Sequence, residues 1–125
     1  MQEGPTALMG MASTASAVQR VRQAGVLTIS VFVDPCYGGS SASFMYATAI
    51  QIGIREARMG FAGPSVIKNT LFNGDDQKYY DGVPAGFQSA DRAVRNGLLD
   101  MLVPAEECRS TTERIIDFFE VRETV

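Results

Sequence analysis

Residues 26–44, VLTISVFVDPCYGGSSASF, run from a β-branched and aromatic stretch through Asp34-Pro35 and a glycine pair into serines. Positions 26–33 are apolar almost throughout, which predicts a strand buried on both faces of a parallel or layered sheet. The glycines then turn the chain into a helix expected over about 40–48, with Ser40 and Ser41 as caps. A strand–glycine–helix junction aims the Gly38 and Gly39 amides at one point, beside the positive end of the helix. Glycine lacks a Cβ and tolerates positive φ, so a substrate carbonyl can approach the backbone. Such donors stabilise an enolate or a tetrahedral oxyanion, each worth about 3 kcal/mol of barrier. Taken alone, the pair reads sooner as a tight strand-to-helix turn, because turns are far commoner than active sites.

Working outward, residues 5–25 place Leu8, Met11, Ala12, Ala15, Val18 and Val21 at helical spacing. Pro5 suits the first turn and Gly25 the stop, and the small residues predict close packing on a sheet. Residues 49–54 alternate as a strand, and 57–63 form a shorter one. Pro64 opens a helix to about Leu71. Residues 72–84, with Asn-Gly and Asp-Gly, read as a loop. A helix over 86–97, a buried strand over 98–103 and a terminal helix over 104–123 complete an α/β order in a single domain.

At 125 residues the chain is one domain long and buries a real core. A net charge of −3 with no basic stripe argues against nucleic acid as a partner. No apolar run reaches the eighteen or so residues of a membrane span, and the first ten residues lack a signal-peptide pattern. The two cysteines, Cys36 and Cys108, form neither a disulfide scaffold nor a metal-ligand spacing. No metal is expected, and a reducing compartment is the default. The absence of histidine removes the commonest general base. Chemistry here must use backbone dipoles, hydroxyls, carboxylates or a partner chain.

Ser40, Ser41 and Ser43 have no histidine to activate them and read as caps. Cys36 reads as a small filler beside the strand. Asp34 either orients the loop or acts as a base, and the former is commoner. GFAGP, residues 60–64, is a second glycine-rich turn after a strand, able to line one edge of a pocket with the first. Asp75, Asp76 and Asp81 lack the ligand spacing of a calcium loop.

Six motifs occur together in order: MQEG (1–4), LMGMA (8–12), ISVFVDPCYGGSSASF (29–44), GFAGPSVI (60–67), PAGFQ (84–88) and GLLDMLV (97–103). In that order and spacing the chain resembles the carboxyltransferase β subunit of bacterial and plastid acetyl-CoA carboxylase, over residues 1 to about 120. The resemblance implies a crotonase-like (ClpP/crotonase) fold of repeated ββα units. It implies a reaction in which carboxybiotin, on a separate carrier protein, gives CO₂ to the enolate of an acyl-CoA to form malonyl-CoA. It also implies a cytoplasmic or plastid-stroma location. Catalysis by backbone oxyanion holes suits a chain without histidine. The expected site is Gly38 and Gly39 as donors, with Asp34, Pro35 and Ser40 of the first turn and Gly60, Phe61, Ala62 and Gly63 of the second against the substrate.

The family carries a Ser-Gly-Gly-Ala-Arg segment directly before Met-Gln-Glu, and its Gly-Gly forms the main oxyanion hole. Here Met1 comes first, so the resemblance is to the C-terminal half of the β subunit. The 72–84 loop is also longer than the family's, and Lys68-Asn69 replaces Glu-Gln. The missing half is expected from a carboxyltransferase α subunit or another crotonase-like chain in a homo- or hetero-oligomer, without which the chain is inactive. Other readings stay open: a truncated product, a crotonase-like decarboxylase, hydrolase or condensing enzyme of a biosynthetic pathway, or a non-catalytic subunit completing a partner's fold. No covalent cofactor is expected, because the only lysines, Lys68 and Lys78, lie outside any biotin-attachment sequence.

Overall fold

Pro5 opens α1 (Pro5–Gln23), and Gly25, at φ 81°, ends it where few other residues fit. The computed structural model describes residues 4–123, with side chains to Glu120. Contrary to expectation, α1 buries no residue against a sheet. Met11, Ala15 and Val18 are half-buried, whereas Leu8, Ala12 and Val21 face outward. The helix rests instead on the turns that follow the first strand, and Arg22 donates to the Ala47 carbonyl at 2.8 Å.

Two ββα units follow. The first comprises β1 (Ile29–Phe32), β2 (Cys36–Tyr37) and α2 (Gly39–Ala42). The second comprises β3 (Ile50–Ile54), β4 (Met59–Gly60) and α3 (Pro64–Leu71). The long first strands pair in parallel as one sheet, Ile29 opposite Ile50 through Phe32 opposite Gly53. The short second strands pair in parallel as another, Cys36 opposite Met59 and Tyr37 opposite Gly60. β5 (Met101–Val103) joins the far side of β3, giving the order β1-β3-β5. Parallel pairing within each sheet brings both glycine turns to one edge.

Several expectations are corrected. The 26–33 stretch is a four-residue edge strand whose Ser30 and Phe32 are buried, while Ile29 and Val31 are half-buried. Val26 and Val33 lie exposed beyond its ends. Residues 36–37 form a strand rather than part of the turn. The helix expected over 40–48 is a single turn that breaks at Ser43 (φ −121°, ψ −88°), followed by a 3-10 turn, Met45–Ala47. The Met45 carbonyl explains the break. It accepts from the Ser30 and Thr48 hydroxyls, both at 2.9 Å, so it is turned into a buried polar cluster beside β1.

Residues 72–84 hold a helix, α4 (Asp76–Gly82), where a loop was expected. Asp75 caps it by accepting from the Lys78 amide, and Lys68 reaches Asp76 at 2.8 Å. Tyr79 is buried edge-on against Phe72. α5 (Ala90–Arg95) is shorter than expected because Ser89 is its cap. The terminal segment begins with a 3-10 turn, Ala105–Glu107, and continues as α6 (Cys108–Glu123).

The core is small and continuous. Phe32, Cys36, Ala57, Met59, Ala90, Ala93 and Leu99 pack together between the two sheets and α5. Gly53 in the central strand admits this packing, since a Cβ there would lie 2.5 Å from Leu99 Cδ1 and 2.9 Å from Leu102 Cδ2.

Candidate functional site

The two glycine turns are cross-tied. The Gly38 amide donates to the Phe61 carbonyl at 3.0 Å, extending the β2–β4 ladder by one step. The buried Ser41 hydroxyl, at 2.7 Å from the Gly60 carbonyl and 3.1 Å from that of Gly38, ties the first turn to the second. Residues 38–41 and 60–61 therefore form one cross-tied corner.

The same bonds divide the glycine pair. Gly38 sits at φ 72°, ψ −133°, a conformation suited to glycine, and its amide is engaged, so it is not a free donor as expected. The Gly39 amide, at the first position of α2, has no acceptor among the described residues. With only one helical turn behind it, little macrodipole accumulates, and the amide itself is the polar feature. Met11 of α1 packs over this position, its Sδ 3.4 Å from where a Gly39 Cβ would lie.

None of the serines caps α2 through its side chain. Ser41 ties the turns, Ser43 donates to the Gly39 carbonyl, and Ser40 is exposed. Cys36 is buried beside Met45, with Sγ to Sδ at 3.4 Å, and burial pushes its thiol upward in pKa, so it is a filler and not a nucleophile.

Asp34 is no base. Both its oxygens accept from the Arg58 guanidinium at 3.0 Å, and Oδ1 also takes the Arg58 amide at 2.8 Å. These bonds to Arg58 hold its carboxyl below the usual range. The pair clamps the β1–β2 link, with its cis Asp34-Pro35 peptide, onto the β3–β4 link. A depressed carboxylate stabilises the fold above its unfolded pKa, near 3.8, and that stabilisation fades as pH falls through the folded value. Wild type is therefore expected to exceed Asp34→Asn in thermal midpoint at neutral pH. The gap should narrow below about pH 4, as seen in melting curves across that range. The pair is exposed, so the difference should be modest.

In the second turn Phe61 is 80% exposed, and Gly63 precedes α3, its carbonyl accepting from the Val66 and Ile67 amides. A cavity of about 530 Å³ opens beside this turn. Phe61, Ile67, Phe87 and Leu98 supply apolar walls, and Arg92 and Gln88 supply polar groups. This volume suits a small organic ligand. Gly60, Phe61 and Ala62 line the cavity, whereas Gly63, Gly38, Gly39, Asp34, Pro35 and Ser40 do not. Gln88 and Arg58 were not expected at the site, and Met11 was expected only on the apolar stripe of α1. Only the PAGFQ motif pointed to Gln88 and only the LMGMA motif to Met11, and nothing local marked Arg58.

Parallel ββα units with paired short second strands define the crotonase-like class. Solved structures agree: the Pseudomonas malonate decarboxylase MdcD–MdcE hetero-dimer matches 83% of this chain and 41% of that one at TM-score 0.60 and 24% identity. The enoyl-CoA hydratase of Thermoplasma volcanium GSS1 matches 94% of this chain and 48% of that one at TM-score 0.59 and 20% identity. No family model matches the chain.

Among curated proteins, the acetyl-coenzyme A carboxylase carboxyl transferase subunit beta of Synechococcus sp. (strain JA-3-3Ab) is 42% identical over 93% of this chain and 35% of its own length. That of Chloroflexus aurantiacus is 40% identical over 98% of this chain and 38% of its own length. The fused beta/alpha subunits of Saccharopolyspora erythraea are 40% identical over 93% of this chain and 19% of their length. The chain is thus about 40% identical to acetyl-CoA carboxylase carboxyltransferase β subunits and spans little more than a third of those it matches. No helix among the described residues is long and apolar enough to cross a membrane.

Proposed function

We propose that this single-domain chain is part of an acyl-CoA carboxyltransferase, in which carboxybiotin on a separate carrier gives CO₂ to an acyl-CoA enolate to form malonyl-CoA. Similarity of about 40% to carboxyltransferase β subunits, running along nearly the whole chain, carries this reading. Carboxybiotin supplies the carbon dioxide. The chain supplies a cross-tied backbone corner and no histidine, which suits stabilising an enolate oxygen rather than moving protons. The Gly39 amide is the donor offered at that corner. Gly60, Phe61, Ala62 and Gly63 bound the substrate side, while Asp34 and Pro35 set the corner's position. Gly38 acts by locking the two turns together.

Neither lysine, Lys68 or Lys78, lies in a biotin-attachment sequence, so biotin is proposed to arrive on another protein. A carboxyltransferase α subunit or a second crotonase-like chain, together with a biotin carboxyl carrier protein, are the partners proposed. A cytoplasmic or plastid-stroma location goes with them. The complex reconstituted with those subunits should decarboxylate malonyl-CoA only when biotin is added, and this chain alone should be inert. Consumption of acyl-CoA without biotin, releasing free acid or a condensed ketone, would overturn the carboxyltransferase reading in favour of another acyl-thioester enzyme. A complex fully active without this chain would leave it a structural role.

A further inference from the structure

Gln88 reaches from outside both ββα units into the second glycine turn. Its Nε2 donates to the Ala62 carbonyl at 2.5 Å. Its own backbone carbonyl accepts from the Met59 amide at 2.8 Å, on the side of β4 away from β2. The neighbouring Ser89 forms an antiparallel bridge with Arg58. The residue is held at φ 60°, a left-handed conformation uncommon for a side chain of this size. Gly60 makes room for it, because a Cβ there would lie 2.6 Å from Gln88 Nε2 and 3.2 Å from Cδ. Gln88 also lines the 530 Å³ cavity together with Gly60, Phe61 and Ala62.

We infer that Gln88 is a positioning residue: its amide, seated in the space left by Gly60, fixes the Ala62–Gly63 peptide and so the cavity edge that the substrate meets. The peptide unit is planar and trans, so holding the Ala62 carbonyl also sets the direction of the Gly63 amide. Gln88 itself need not touch the reacting atoms. The substrate side of this inference rests on the carboxyltransferase reading above, whereas the positioning of the turn does not.

Gln88→Met keeps the side-chain length and apolar packing but removes the donor. Gly60→Ala keeps Gln88 and displaces its amide. In the isolated chain, amide NMR shifts and hydrogen exchange should change for both variants at residues 60–63, with thermal midpoints close to wild type. In the reconstituted complex both should lower kcat at least tenfold with a smaller change in acyl-CoA KM, and the double variant should lose little more than either alone. Residues 60–63 unperturbed in Gln88→Met would overturn the positioning role. A perturbed turn with full kcat would overturn its bearing on the reaction. If the wild-type complex shows no biotin-dependent activity, the carboxyltransferase reading fails separately, and the NMR comparison still decides what Gln88 does to the turn.

Discussion

Replacing Gly39 with valine should lower turnover of the assembled complex at least tenfold, about 1.4 kcal/mol of barrier. Gly39 is the informative half of the pair. A substitution at Gly38 would force a side chain into φ 72° and disturb the ladder to Phe61, so lost activity there would report on folding. At Gly39 no left-handed φ is involved, and the sole near neighbour of an added Cβ is the flexible end of Met11, with Sδ at 3.4 Å. The branched side chain would shield the open Gly39 amide from a substrate oxygen while leaving the cross-ties intact. Steady-state kinetics beside a thermal melt check this. Unchanged turnover in a folded complex would make the whole junction a structural turn.

Phe32→Ala should destabilise the isolated chain by about 3–5 kcal/mol, the cost of removing a large buried ring and leaving a cavity. Phe32 is fully buried, faces Gly53 across the β1–β3 pair, and stacks tilted on Tyr46 at a centroid distance of 4.9 Å. With glycine opposite, no side chain on β3 can move in to fill the space. Tyr46 is partly exposed and can swing inward, which favours the lower end of the range. Denaturant unfolding of wild type and variant measures the difference. A loss below about 1 kcal/mol would mean that the two sheets repack without the ring.

The long strands and helices were legible because their signals are local. Pro64 opens α3 where expected, and the alternation of 49–54 is β3. β2 was not legible: two residues between a proline and a glycine pair cannot show a period of two, and only pairing with Met59 and Gly60 makes them a strand. The end of α2 had no proline or glycine to mark it, because the break comes from hydroxyls of Ser30 and Thr48. α4 hid in a polar stretch whose cap, Asp75, resembled loop composition. At the site the sequence pointed to the right junction but could not show that the Gly38 amide was taken, since its acceptor lies 23 residues further on. The length of α1 was readable, but not its seat, because a stripe of small apolar residues looks alike whether or not a sheet covers it.

The links that join long strand to short strand run from Val33 to Pro35 and from Arg55 to Arg58, and Asp34 and Arg58 fasten the two together. Neither link has slack, so an added residue in one would shift its short strand relative to the other and misalign the corner beyond. Between α3 and β5 the chain instead passes through α4 and α5, outside both ladders, with Asn73 and Gly74 exposed at left-handed angles. Gain or loss of chain length should therefore be tolerated around Asn73–Gly74 and refused in the two short links. A shared ancestor of such ββα proteins would drift in size at that surface while its corner stayed the same size.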